Sequence, residues 1–232
     1  MSTPEGRRYG GADADERRAR RRADLVAAGV DLFGSVGFAG VTIKRICDHA
    51  GLTQRYFYES FTDRHALLAA VYDDCVAVAR ASTVAAASGY VADRAGAGVA
   101  SMDAPAVARA TLGAFVRTLA ENPRRARIML VEVVGVHPDL ERLRLTAIHG
   151  WADLILSLAL GDRPAERSQR LTAIGLVGAV TQLLVDWHTS SAGEFAGSDT
   201  ADGVLPPDLF ELDAILDVSV ALFVAAYERL LD

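Results

Sequence analysis

From Glu16 onward apolar residues return at intervals of three and four, with Leu25, Val26, Gly29, Leu32 and Phe33 on one stripe. That is the spacing of an amphipathic helix. The stripe stops at "GSVGF", where Gly34 and Gly37 can take the positive φ that ends a helix. The next forty residues divide into three helical segments. One spans about 42–49 behind Thr42, one about 53–60 behind Thr53, and one starts behind Thr62 or Asp63 and runs to about 88. A stretch rich in Gly, Ala and Ser (88–105) reads as a loop. Helical patterns resume at about 106–121, 124–135, 138–160, 166–191 and 208–230, separated by Asn122–Pro123, His137–Pro138, Gly161–Arg163 and a long polar segment. No stretch alternates as a strand would and no repeat is evident, so the expected fold class is all-α.

The segment "VTIKRICDHAGLTQRYFYESF" carries the densest information. Ile46 and Cys47 give the first short helix an inner face, Gly51 makes the turn, Leu52 fills beneath it, and Phe57 and Phe61 anchor the second helix. Two helices cross this closely when a small residue sits at the contact and a glycine at the turn, the spacing of a helix-turn-helix. Gln54, Arg55, Tyr56 and Tyr58 are left facing outward. Arginine can fork onto guanine, glutamine can pair with adenine, and tyrosine hydroxyls can hold phosphate. The helix starts at Thr42 and Thr53 offer free N–H groups to phosphate as well.

Charge adds direction. Residues 1–65 carry net +2, much of it in "RRARRR" (17–22), whereas the remainder carries −8. A basic front on an acidic body points to a polyanion partner for the front alone. Residues 1–14, rich in Gly, are expected to be disordered. The longest uninterrupted apolar runs, "LLAAVY" and "ALFVAAY", are short for a bilayer, and no signal-like block occupies the first twenty residues. The expectation is a cytoplasmic protein with no membrane partner. Cys47 and Cys75 fit no zinc spacing and read as buried thiols.

Residues 17–75 resemble the DNA-binding region of TetR-family (tetracycline-repressor-like) transcriptional regulators. The resemblance rests on Leu32, Phe33, Gly37, Phe38, Gly40 and Thr42, then Ile46, Ala50 and Gly51, then Phe57, Tyr58, Phe61, Asp63 and Leu67. It implies a disordered arm (1–15), a three-helix helix-turn-helix DNA-binding domain (16–65) and a helical ligand-binding and dimerisation domain (66–232). It makes 53–59 the recognition helix, with Gln54, Arg55 and Tyr56 as base readers and Thr42, Lys44 and Tyr58 as phosphate anchors. Arg20, Arg21 and Arg22 would reach the flanking backbone, and Arg45 and Thr53 complete the docking face. Thr62 stands where many relatives carry a phosphate-gripping Lys, which leaves two alternatives: Arg64 or the arm substitutes, or DNA affinity is lower. Arg55 and Tyr56 are bulkier than is usual at their positions, which bears on the DNA sequence read.

In the body, "LTAIGLVGAVTQLLVDW" and "LFELDAILDVSVALFVAAYERLL" are apolar nearly all round. A helix of that kind needs two apolar neighbours. By the resemblance these helices pair with their symmetry mates in a homodimer, setting recognition helices about 34–36 Å apart on a double-stranded operator. The middle helices would enclose a small-molecule effector, with Phe115, Leu119, Met129, Val133, His149, Trp151, Gln182 and Trp187 as candidate walls and a largely apolar ligand. No Gly-rich phosphate loop, serine elbow or His-Glu-x-x-His is present, so no catalytic set, cofactor or metal is expected. Glu132, His137, Asp139 and His149 lie near one another in sequence, but a proline-marked break divides them. The rival reading is a helical module whose short pair binds protein rather than DNA.

Overall fold

The computed structural model describes residues 9–96, 103–191 and 210–231, and among them every element is helical. The order is α1 (Tyr9–Val36), a 3-10 turn (Phe38–Gly40), α2 (Ile43–Ala50), α3 (Gln54–Ser60) and α4 (Arg64–Gly96). Then follow α5 (Ala104–Glu121), α6 (Pro123–Arg127), a π-helical turn (Ile128–Glu132), α7 (Pro138–Leu160), α8 (Arg167–Ser191) and α9 (Leu212–Leu231).

The local chemistry sets the boundaries. Gly37, at φ +87°, closes α1 by donating its N–H to Phe33 O at 3.1 Å. The Thr42 hydroxyl accepts from Arg45 N–H at 3.2 Å and caps α2. Gly51, at φ +66°, ends α2 in the left-handed conformation while Leu52 N–H reaches back to Cys47 O at 2.9 Å. Of the two candidates for the cap of α4 it is Asp63 that serves, accepting from Ala66 N–H at 2.9 Å. Thr53 sits at the cap position of α3, yet its side chain makes no capping bond.

Three expectations change. Helix α1 begins at Tyr9, inside the segment expected to be a disordered arm over 1–15; residues 1–8 of that arm lie outside the described residues. Helix α4 continues to Gly96, through residues read as loop from 88. Its inward stripe Ala79, Thr83, Ala87 keeps a spacing of four, and packing outweighs the roughly 1 kcal/mol cost of a helical Gly89. The single helix expected over 124–135 is instead α6 followed by the π-helical turn. A π turn holds one residue more than an α turn and so re-aims the side chains beyond it.

A helix-turn-helix domain and a body share one core. Leu25, Phe33, Val41, Ile46, Phe57, Leu67 and Leu68 are fully buried, and Ile128, Val133 and Leu140 from the body belong to the same cluster. Because α4 runs unbroken from one into the other, the expected boundary at residue 65 falls at the start of a continuous helix. By length and averaged hydropathy α4, α7 and α8 are each apolar enough to cross a bilayer, which a reading of uninterrupted runs did not register. Here α4 packs on α5, α7 on α8, and α8 on α9.

Candidate nucleic-acid interface and effector cavity

The short pair α2–α3 stands on its buried face and shows the rest. Phe57 is wholly buried, with Phe61 5.8 Å and Tyr58 5.5 Å from it, ring centroid to ring centroid. Gln54, Arg55 and Tyr58 are exposed, Tyr58 at 59%. The Arg55 side chain, 85% exposed, rests against Glu59 one turn on at 3.3 Å. On α2, Lys44 pairs with Asp48 at 2.7 Å, which raises its pKa chiefly through that hydrogen bond, and Arg45 stands in solvent. Thr42 and Thr53 are both exposed at the two helix starts. The eleven candidate DNA contacts therefore do not stand alike. Arg21 lies over the Tyr56 ring at 4.4 Å and pairs with Glu59 at 3.5 Å, so it braces α3 and half-buries Tyr56. Arg22 lies over Phe61 at 5.0 Å, while Arg20 is exposed on α1. Arg64 is spent elsewhere: its guanidinium donates to Phe38 O at 3.2 Å and to Val41 O, and covers the Phe38 ring at 4.8 Å. It cannot stand in for the missing lysine at Thr62 while it holds those carbonyls.

The body encloses a cavity of about 490 Å³ between α4, α5, the π-helical turn, α7, α8 and α9. Phe115, Met129, Trp151 and Gln182 line it as expected from sequence, Phe115 and Trp151 meeting edge to face at 5.0 Å. The other four candidates do not line it. Leu119 is buried in a cluster with Val116, Leu130 and Leu184, and Val133 is buried in the core shared with the short helices. His149 faces outward on α7. Trp187 borders a separate, more open recess with Phe210 and Leu212. Sequence reasoning passed over Tyr72, Thr111, Ser219 and Phe223, which are on the cavity wall.

Residues 25–71 match the family model described as bacterial regulatory proteins, tetR family, a stretch that runs from within α1 through both short helices into α4. The N-terminal helices are therefore similar to those of TetR-family regulators. Among solved structures, the fatty acid degradation regulator FadR from Bacillus halodurans aligns at TM-score 0.60 and 14% identity, covering 88% of this chain and 94% of that one. FadR from Bacillus subtilis, in complex with stearoyl-CoA, gives 0.60 and 12% over 86% and 97%. A TetR-family transcriptional regulator from Streptomyces coelicolor gives 0.58 and 18% over 92% and 97%. At these identities the likeness is one of fold. No curated protein matches the sequence.

The TetR-like fold is joined to its body through a small set of polar contacts. Glu132, at the end of the π-helical turn, accepts the Phe38 N–H at 2.6 Å and the Arg127 Nε–H at 2.7 Å. Arg124 pairs with Asp31 of α1 at 2.5 Å, and its backbone lies so close to Gly34 that a Cβ there would meet it at 2.7 Å. Arg125 reaches Asp74 at 2.6 Å. Aromatic contacts continue the joint, from Phe33 to Phe38 (5.4 Å), Phe38 to His65 (5.1 Å) and His65 to His137 (5.0 Å). Glu132 and His137, imagined from sequence near a common site, thus have separate work at this seam. His137 caps α7, its Nδ1 accepting from Asp139 N–H at 3.2 Å. The same π-helical turn presents Met129, Leu130 and Val131 to the cavity. One turn of helix therefore touches the cavity on one side and the 3-10 turn leading into α2 on the other.

Proposed function

We propose that this chain is a homodimeric, effector-controlled DNA-binding transcriptional repressor. Its helix-turn-helix domain (16–65) would read a near-palindromic operator, and its body (66–232) would bind a small, largely apolar molecule that releases it. Gln54 and Arg55 are the base readers, and Thr42, Lys44, Arg45, Thr53 and Tyr58 hold phosphates. Arg20 reaches the flanking backbone, and Arg21 keeps Tyr56 and Glu59 in register beneath the readers.

The observation that carries the reading is the two-sided π-helical turn. Ile128–Glu132 borders the cavity through Met129 and Leu130 and holds the Phe38 N–H through Glu132. A ligand that prefers one setting of this turn biases the orientation of α2 and α3, and the two-state population shifts by as much as its affinities for the settings differ. That a FadR of the same fold was solved with stearoyl-CoA supports a small molecule in the body.

Two helix faces support the dimer. Helix α8 exposes Leu171 at 60%, and Cβ atoms built on its Gly175 and Gly178 meet nothing. Helix α9 exposes Val218 at 49%, with Ala214, Ala221, Leu222 and Ala225 along the same side. An apolar stripe of this length on a polar surface marks an association site.

The test is selection of genomic DNA fragments by the purified protein at two salt concentrations. Enrichment of one or a few near-palindromic sites, with affinity falling log-linearly in salt, is the expected result. Absence of enrichment at either salt would put the protein-binding reading of the helix pair ahead.

A further inference from the structure

The cavity wall is chemically lopsided in a way that names the head group of its ligand. Arg144 is the only formally charged side chain among the described wall residues. Its guanidinium is already taken by Glu141, with Nε at 3.0 Å and Nη2 at 2.9 Å from Oε2. Glu141 in turn accepts the Gly135 N–H at 2.7 Å, and that bond, with Arg144, holds its carboxyl below the usual range. The pair is neutral as a unit: an anionic ligand would have to share Arg144 with Glu141 and meet that carboxylate's charge beside it, and a cationic one would find no carboxylate on the wall.

The hydroxyls are similarly engaged. Thr83 donates to Ala79 O at 2.9 Å, Thr111 to Val107 O at 2.8 Å and Thr181 to Val177 O at 2.7 Å, each one turn back along its own helix. Burial pushes the Tyr72 phenol up to about 12, so that group stays neutral. Ser219 of α9 is different. It is 1% exposed, it borders the cavity, and its Oγ has no hydrogen-bond partner. A buried hydroxyl without a partner is costly, and a ligand oxygen that supplies the partner recovers that cost.

We propose that the cavity takes an uncharged lipophilic molecule bearing one hydroxyl or carbonyl oxygen, and that this oxygen pairs with Ser219. The inference rests on the effector reading above and goes past it by fixing the ligand's charge and its polar anchor. It also places the anchor on α9, one residue from the outward Val218, so the polar end of the ligand sits against a helix of the proposed dimer face.

The experiment is calorimetric titration of the full chain, without DNA, with three amphiphiles of equal tail length: 1-dodecanol, dodecanoate and dodecylammonium, each below its aggregation concentration. The alcohol should bind at least about tenfold more tightly than either ion. Ser219→Ala should weaken the alcohol by about three- to tenfold, the loss of one ordinary hydrogen bond, and leave the thermal midpoint unchanged or higher. Dodecanoate or dodecylammonium binding as tightly as the alcohol overturns the neutral-ligand assignment, as does absence of binding by all three. Unchanged alcohol affinity in Ser219→Ala removes Ser219 as the anchor. If the alcohol binds as expected but leaves DNA affinity untouched, the repressor reading fails and the ligand assignment stands.

Discussion

Glu132→Ala tests the seam between cavity and DNA-binding domain most directly. The Glu132 side chain is 11% exposed, and its carboxylate serves the Phe38 N–H at 2.6 Å and Arg127 at 2.7 Å. Truncation strands a part-buried backbone donor, worth roughly 1–3 kcal/mol. The loss of Arg127's partner adds less, about 0.5–1 kcal/mol, because that guanidinium is about one-third exposed and recovers water. The expected total is about 1.5–4 kcal/mol, or a fall of roughly 3–16 °C in thermal midpoint for a chain of this size. Glu132→Gln keeps an acceptor for Phe38 and should cost only about 1 kcal/mol. Glu132→Ala frees the 3-10 turn ahead of α2 and Glu132→Gln only loosens it, so DNA affinity should fall in the same order, by about tenfold for each roughly 1.4 kcal/mol of lost preference for the competent orientation. Circular-dichroism melting reads the first effect, and fluorescence anisotropy on the selected operator, with and without ligand, reads the second. Gly37→Ala approaches the seam from the other side. Its backbone sits at φ +87° and ψ 151°, a region only glycine adopts readily, and a Cβ would lie 3.1 Å from Arg127 Nη2 and 3.2 Å from Glu132 Oε1, so it should destabilise as well, by about 1–3 kcal/mol. An unchanged midpoint together with unchanged operator affinity in Glu132→Ala would refute the seam as the link between the two parts.

Arg55→Ala should cost roughly 1–3 kcal/mol on the preferred operator and relax preference at one base pair; equal affinity for every sequence before and after would clear Arg55 of base reading. Arg21→Ala should weaken all DNA sequences together, because it unseats Tyr56 and Glu59 without touching a base, and a change in sequence preference would contradict the bracing role. Val218→Lys places charge on the exposed stripe of α9 and should shift the sedimentation profile toward monomer with helical content retained; a dimer of undiminished affinity would move the interface elsewhere. Burial raises the Cys75 thiol from an ordinary value near 9 to about 11, so the folded chain holds that proton more tightly than the unfolded chain. The associated stability is complete below about pH 9 and is lost as pH climbs toward 11, with Tyr72 extending the loss toward pH 12. Urea midpoints at pH 8, 9.5 and 10.5 should fall in that order, and iodoacetamide at pH 8 should label Cys75 only in the unfolded chain.

What was legible in the sequence was what neighbouring residues decide among themselves. A capping threonine, a left-handed glycine nine residues later and two phenylalanines four apart specify α2–α3, because capping, turn and anchoring each act within a turn or two of helix. Asp63 against Thr62 was a local question that the sequence left open, and one hydrogen bond decides it. The cavity wall is another matter. Leu119 and Trp151 both lie on apolar stripes, and which stripe faces a void rather than a neighbour depends on how α5, α7 and α9 are set against one another. Ser219 was missed because a lone serine in an apolar helix reads as an interruption; its spacing of four from buried Ile215 was the signal that it points inward. Glu132 carried a stronger signal of the same kind. It is a single charge in "IMLVEVVGV", and a charge embedded in an apolar run requires a partner that its own helix does not supply. Arg127 of α6, five residues earlier, supplies one partner, and the second is a backbone N–H 94 residues earlier, beyond the reach of any periodicity. An isolated charge in an apolar helix is thus better read as an unpaid contact than as a surface position. In this fold, that contact is where the body grips the domain placed to meet DNA.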